Sequence, residues 1–125
     1  VGVTWIDNNR ILVAETGNRR LQVLDREGRS LEIVELPEAW SDFYSRPQIA
    51  VDRNGRWVAT DIPAQCLWVI DDGEVQRVDL TESGIVPSGL VDDGTSVFIS
   101  DFNSRVWVFG GSDTGDDREG QRPAE

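Results

Sequence analysis

The sequence predicts an all-β chain made of three successive antiparallel units, and three observations carry that expectation. First, a segment repeats. Gly2–Glu15 lies over Gln48–Asp61 without a gap at an offset of 46 residues, and Gly89–Asp101 is a third copy, about 40 residues further on and one residue shorter. Second, each copy is followed by another apolar run, Leu21–Leu24, Leu67–Ile70 and Val106–Phe109. Third, these runs are short, rich in Val, Ile, Leu, Phe and Trp, and bounded by Gly, Asn and Asp. That suits strands and leaves no room for helices.

The elements follow in order. A first strand is expected over Val3–Ile6, Ile49–Asp52 and Gly89–Val91, and a second over Arg10–Ala14, Arg56–Thr60 and Ser96–Ser100. The third covers Arg20–Asp25, Cys66–Asp71 and Arg105–Phe109, and only two units show a fourth, Ser30–Leu36 and Val75–Leu80. Asn54-Gly55, Asp72-Gly73 and Asp93-Gly94 mark hairpins, because these pairs tolerate the positive φ of tight turns. Four antiparallel strands in about 40–45 residues make a propeller blade. The expected organisation is blade 1 (1–36), a linker loop (37–47), blade 2 (48–80), a second linker (81–88), an incomplete blade 3 (89–110) and an acidic, Gly-rich tail (111–125). The third strands of units two and three are apolar on both faces, as befits a layer between two others. Gln22 makes the first unit more polar there.

Composition narrows the chemistry. The chain has 125 residues with 23 acidic and 12 basic side chains, a formal charge of −11. That length suits one domain. Every base is Arg, and there is no His. Ser-His-Asp and Cys-His catalysis, His-ligated zinc and histidine acid–base steps are therefore excluded within this chain. The single cysteine, Cys66, rules out an intramolecular disulfide and a CxxC site. Nucleic acid and anionic membrane surfaces are disfavoured partners, since both need clustered Lys and Arg. No apolar run approaches the roughly 18 residues of a membrane helix, so a soluble chain without membrane insertion is expected, its compartment undetermined. A Lys-free, acid-rich surface also predicts stability that rises with salt as self-repulsion is screened.

Gly2-Val3-Thr4, followed by Val13-Ala14-Glu15-Thr16-Gly17-Asn18-Arg19-Arg20-Leu21-Gln22-Val23-Leu24-Asp25, resembles the NHL repeat. The resemblance reaches to about Gly111. It is strongest in unit one, fair in unit three (Asp101, Asn103, Arg105) and weakest in unit two, where Ala64 and Cys66 stand at the family's Asn and Arg positions. It implies a six-bladed propeller, of which three blades are half. The expectation is a fragment of a longer chain, or a unit whose homodimer closes a six-bladed ring. Alone, it would expose an apolar blade face and unpaired edges. The resemblance further implies a non-catalytic scaffold for protein or small-ligand binding. The alternative is part of a metal-dependent propeller enzyme, gluconolactonase-like or lyase-like, with its site largely in other blades. RNA binding, as in tripartite-motif NHL proteins, is disfavoured by the charge.

The candidate residues fall into three groups. The recurring set Glu15, Asn18, Arg20, Asp61, Asp101, Asn103 and Arg105 invites an ion-site reading. A feature repeated in every blade is better read as architecture, with side chains satisfying turn backbones and an Arg pairing locally. The Asp-rich turns lack the DxDxDG spacing of a calcium loop. No cofactor, metal ligand or catalytic residue is assigned, and the turns leave room only for adventitious calcium. Cys66 reads as a small apolar filler with no His or Lys to activate it. The linker loop breaks the repeat and carries Trp40, Phe43, Tyr44 and Arg46, residue types enriched at binding hot spots. The competing reading is that these aromatics seal the seam between two blades.

Overall fold

The computed structural model describes residues 2–41, 46–52, 54–92, 96–102, 105–109 and 122–123. They form three four-stranded antiparallel sheets, and no helix occurs among them. Blade 1 is β1 (Gly2–Trp5), β2 (Arg10–Glu15), β3 (Arg20–Asp25) and β4 (Ser30–Glu35), side by side in chain order. Blade 2 is β5 (Ile49–Val51), β6 (Trp57–Asp61), β7 (Cys66–Asp71) and β8 (Glu74–Asp79). Blade 3 is β9 (Pro87–Asp92), β10 (Val97–Asp101), β11 (Val106–Phe109) and β12 (Arg122–Pro123).

The turns explain the hairpins. Asp72 and Gly73 both take positive φ, 50° and 83°, the primed turn whose twist matches the strands it joins. Other hairpins are clamped by an Asp side chain. Asp52 Oδ1 accepts the backbone N–H groups of Asn54 and Arg56, and Oδ2 accepts Arg56 Nε at 2.7 Å. Asp25 does the same for Glu27 and Arg29. These acids serve turn geometry. The Asp93-Gly94 turn lies outside the described residues.

Alternation of side chains gives each blade two faces. Leu12, Ala14, Leu21, Val23 and Val34 of blade 1 pack against Ile49, Trp57, Ala59, Cys66, Trp68 and Ile70 of blade 2. The opposite face of blade 2, with Val58, Leu67 and Val69, packs against Val97 and Ile99 of blade 3, with Leu90 and Trp107 beside them. Blade 2 is thus covered on both sides. Every residue of β6, and Cys66–Ile70 of β7, is buried as a result. Gln22 points away from the seam, on the uncovered face of blade 1, which is why β3 tolerates it.

Most strand ends shift by one residue from the expected bounds, and two differences are larger. β9 begins at Pro87 rather than Gly89, because Pro87 pairs with Asp101 across an irregularity at Ser100/Asp101. Blade 3 also has a fourth strand, drawn from the expected tail: Arg122 and Pro123 pair with Val108 and Trp107. Two residues carry no readable alternation, so only the ladder partner picks them out.

Candidate functional site

The acids that end the second strands each organise a small polar node. In blade 1, Glu15 Oε2 accepts Arg20 Nε at 2.8 Å and Gln22 Nε2 at 2.9 Å, and Oε1 accepts Asn18 Nδ2 at 3.3 Å. In blade 3, Asp101 Oδ2 accepts Arg105 Nη2 at 2.9 Å and Trp107 Nε1 at 3.1 Å. The register explains the recurrence. Glu15 lies opposite Arg20 and Asp61 opposite Cys66, and the residue two further along β3, β7 or β11 (Gln22, Trp68, Trp107) projects to the same face. Those three donors escaped the sequence reading. Their signal was present as a nitrogen-bearing side chain two residues beyond the Arg position in each repeat.

Blade 2 solves the same problem without its Arg. Cys66 occupies that position and is fully buried. Asp61, also buried, takes Trp68 Nε1 at 2.9 Å and the backbone N–H of Trp40 at 3.0 Å on Oδ2, with the Ala64 N–H at 3.3 Å from Oδ1. Trp40 Nε1 donates to the Thr60 carbonyl at 3.0 Å. The linker loop therefore reaches into blade 2 and supplies a main-chain donor where the other blades use a guanidinium. The cation itself is displaced onto the neighbouring strand. Arg77 lies over the Trp68 ring at 5.9 Å, as Arg105 lies over Trp107 at 5.0 Å.

Electrostatics within the blade 1 node favour a fixed charge. The Arg20 guanidinium, helped by Asn18 and Gln22, holds the Glu15 carboxyl below its ordinary value against a partial burial penalty. Burial, reinforced by the nearby Asp61 charge, pushes the Cys66 thiol up to about 12. Cys66 is a neutral thiol at physiological pH and a poor nucleophile.

The linker candidates separate. Trp40 is 1% exposed and sits in the seam between blades 1 and 2. Arg46 is exposed and lines a cleft of about 440 Å³ with Gly2, Val3, Pro47, Gln48 and Ile49, where β1 runs beside β5. Phe43, Tyr44 and Asn103 lie outside the described residues. A second groove, about 210 Å³, is lined by Glu35, Leu36, Pro37, Glu38, Trp68 and Val75. Among the described residues, no three His, Cys, Asp or Glu side chains converge as a metal site would require. No helix there is long and apolar enough to cross a membrane.

No protein-family model matches the chain, and no curated protein matches it in sequence. Solved structures do match. One is a catalytically inactive histidine-to-alanine variant of virginiamycin B lyase from Staphylococcus aureus with quinupristin, at a TM-score of 0.72 and 16% identity. A streptogramin B lyase structure gives the same TM-score and identity. A Bacteroides caccae protein of unknown function gives 0.64 and 14%. The match covers 99% of this chain and 40% of the virginiamycin B lyase chain, and 98% and 48% for the Bacteroides protein. This chain thus spans less than half the length of these structures. The likeness shows the fold, a partial β-propeller.

Proposed function

We propose that the chain is a non-catalytic propeller segment of NHL type, three blades of a larger ring, that presents its linker loops to a protein or small ligand. The observation that carries this reading is the commitment of the recurrent acids. Glu15, Asp61 and Asp101 each spend carboxylate oxygens on donors of their own blade or linker. Carboxylates engaged in this way brace hairpins and seams. Among the described linker residues, the exposed Arg46 beside the cleft is the one best placed to meet a ligand.

The enzyme alternative draws on the likeness to lyases. The matched Staphylococcus aureus lyase is inactive when one histidine becomes alanine, and this chain has no histidine. Any such chemistry would have to come from blades beyond these three. Titration calorimetry with Ca²⁺ or Zn²⁺ alone, and mass spectrometry of quinupristin incubated with the protein, test the proposal together. We expect no saturable one-to-one metal site and unchanged quinupristin. A stoichiometric metal site, or conversion of quinupristin, would replace the scaffold reading with the enzymatic one.

A further inference from the structure

The three-blade stack has two outward faces, one on blade 1 and one on blade 3, each corresponding to one side of its internal seams. Within the chain, blade 1 meets blade 2, and blade 2 meets blade 3, in the same way: the face opposite the acid node of one blade packs on the node-bearing face of the next. Among the described residues, blade 1 exposes apolar side chains on its node-bearing face, and blade 3 exposes Val91 and Val106 on the opposite face, where Val108 is buried. At two equivalent positions these faces carry the apolar residue types that are buried inside, whereas Arg20 and Gln22 stand where blade 2 buries Cys66 and Trp68. Val3, 64% exposed, is the counterpart of Ile49 and Leu90, which pack into the two seams. Val106, 43% exposed, is the counterpart of Leu21 and Leu67, both fully buried there.

Trp5 and Val91 extend the two patches, at 55% and 61% exposure. The indole of Trp5 is already held against its own blade by Arg26, whose guanidinium lies 5.3 Å from the ring centroid. Large apolar side chains clustered on an open sheet face mark an interaction surface rather than scattered exposure.

We propose that a second copy of this chain docks head to tail, its blade 3 face covering the node-bearing face of blade 1. The inference is independent of whether the assembled ring binds or catalyses. Because one copy carries both complementary faces, the contact is heterologous and can be satisfied twice in a closed pair. Continuity with the internal seams argues for this occupant, since the partner face reproduces an interface the chain already makes twice. The copies repel through their −11 charges, so association driven by apolar burial tightens as salt screens that repulsion.

The test is light scattering behind size exclusion over a concentration series, at low and high salt, on the 125-residue chain. The expected result is a species at twice 13.9 kDa, with at least tenfold weaker association in Trp5→Glu and equally in Val106→Glu. Circular dichroism confirms that each variant keeps its sheets. Val3→Glu and Val91→Glu replace either variant that fails to fold. A monomer at every concentration would overturn the proposal and assign the open faces to further blades of a longer chain. Loss of the dimer in Trp5→Glu but not Val106→Glu would also overturn it, because it would mean like faces pairing. A polydisperse series without a dimer, or a dimer untouched by either variant, would do the same.

Discussion

Removing the Asp61 carboxylate should be costly, because the linker and the blade both hang on it. Asp61→Ala strands the Trp68 indole N–H and the Trp40 backbone N–H in a buried seam. At about 1–3 kcal/mol for each unsatisfied buried donor, and more for bonds to a charged acceptor, the expected loss is about 3–5 kcal/mol. Asp61→Asn keeps one acceptor oxygen and should cost about 1–2 kcal/mol. The assay is urea unfolding followed by tryptophan fluorescence, read as a shift in midpoint at constant slope. Trp68→Phe removes the partner donor while keeping a ring. The cycle of Asp61→Ala with Trp68→Phe should then give a coupling of about 1–3 kcal/mol. Should Asp61→Ala unfold the chain outright, the cycle runs with Asp61→Asn. The reasoning fails if Asp61→Ala costs under about 1 kcal/mol, or if the two substitutions simply add.

Other outcomes follow from the same geometry. Glu15 titrates below its ordinary value of 4.5 in the folded chain. Its contribution is therefore complete above that value and is lost as pH falls through the lower folded one. Acid titrations of the wild type and Glu15→Gln should diverge at neutral pH and converge in strong acid. Cys66, buried with its pKa pushed to about 12, should resist a thiol reagent at neutral pH in the native protein and react fully in denaturant. A Cβ at Gly2 would stand 2.8 Å from the Pro47 carbonyl oxygen, whereas one at Gly17 meets open space. Gly2→Ala should therefore lower stability by about 1–3 kcal/mol through backbone displacement, while Gly17→Ala spares the seam. Melting temperature should rise from dilute buffer to molar salt as the net charge of −11 is screened; a flat profile would contradict that account.

Much of the fold was legible because propeller blades are local objects. The offset of 46 residues, the Asp72-Gly73 turn and the alternation along β2 and β3 are all written within a few dozen residues. Antiparallel pairing between consecutive strands needs no distant information. The recurrent acids were legible as positions. Their donors Gln22, Trp68 and Trp107 were not, since a tryptophan in an apolar strand looks like core until the register sets its N–H against a carboxylate.

The linker shows where local reading stops. Trp40 has the residue type of a binding anchor and of a seam plug alike, and nothing in its neighbours distinguishes the two. The tertiary structure turns it inward, because Cys66 leaves Asp61 without a guanidinium and the Trp40 N–H comes from a different blade connection to meet it. β12 is similar: Arg122 and Pro123 are a strand only because β11 offers an unpaired edge. The sequence by itself determined the repeat, the strand order and the absence of histidine chemistry within this chain. Only the tertiary structure decided which face of each blade is covered, which donors reach each acid and which apolar side chains stay in water. The faces and the Trp40 contact depend on residues 20 or more positions apart, and the other donors, though only 3–7 positions from their acids, are set by strand register, which local propensity does not fix.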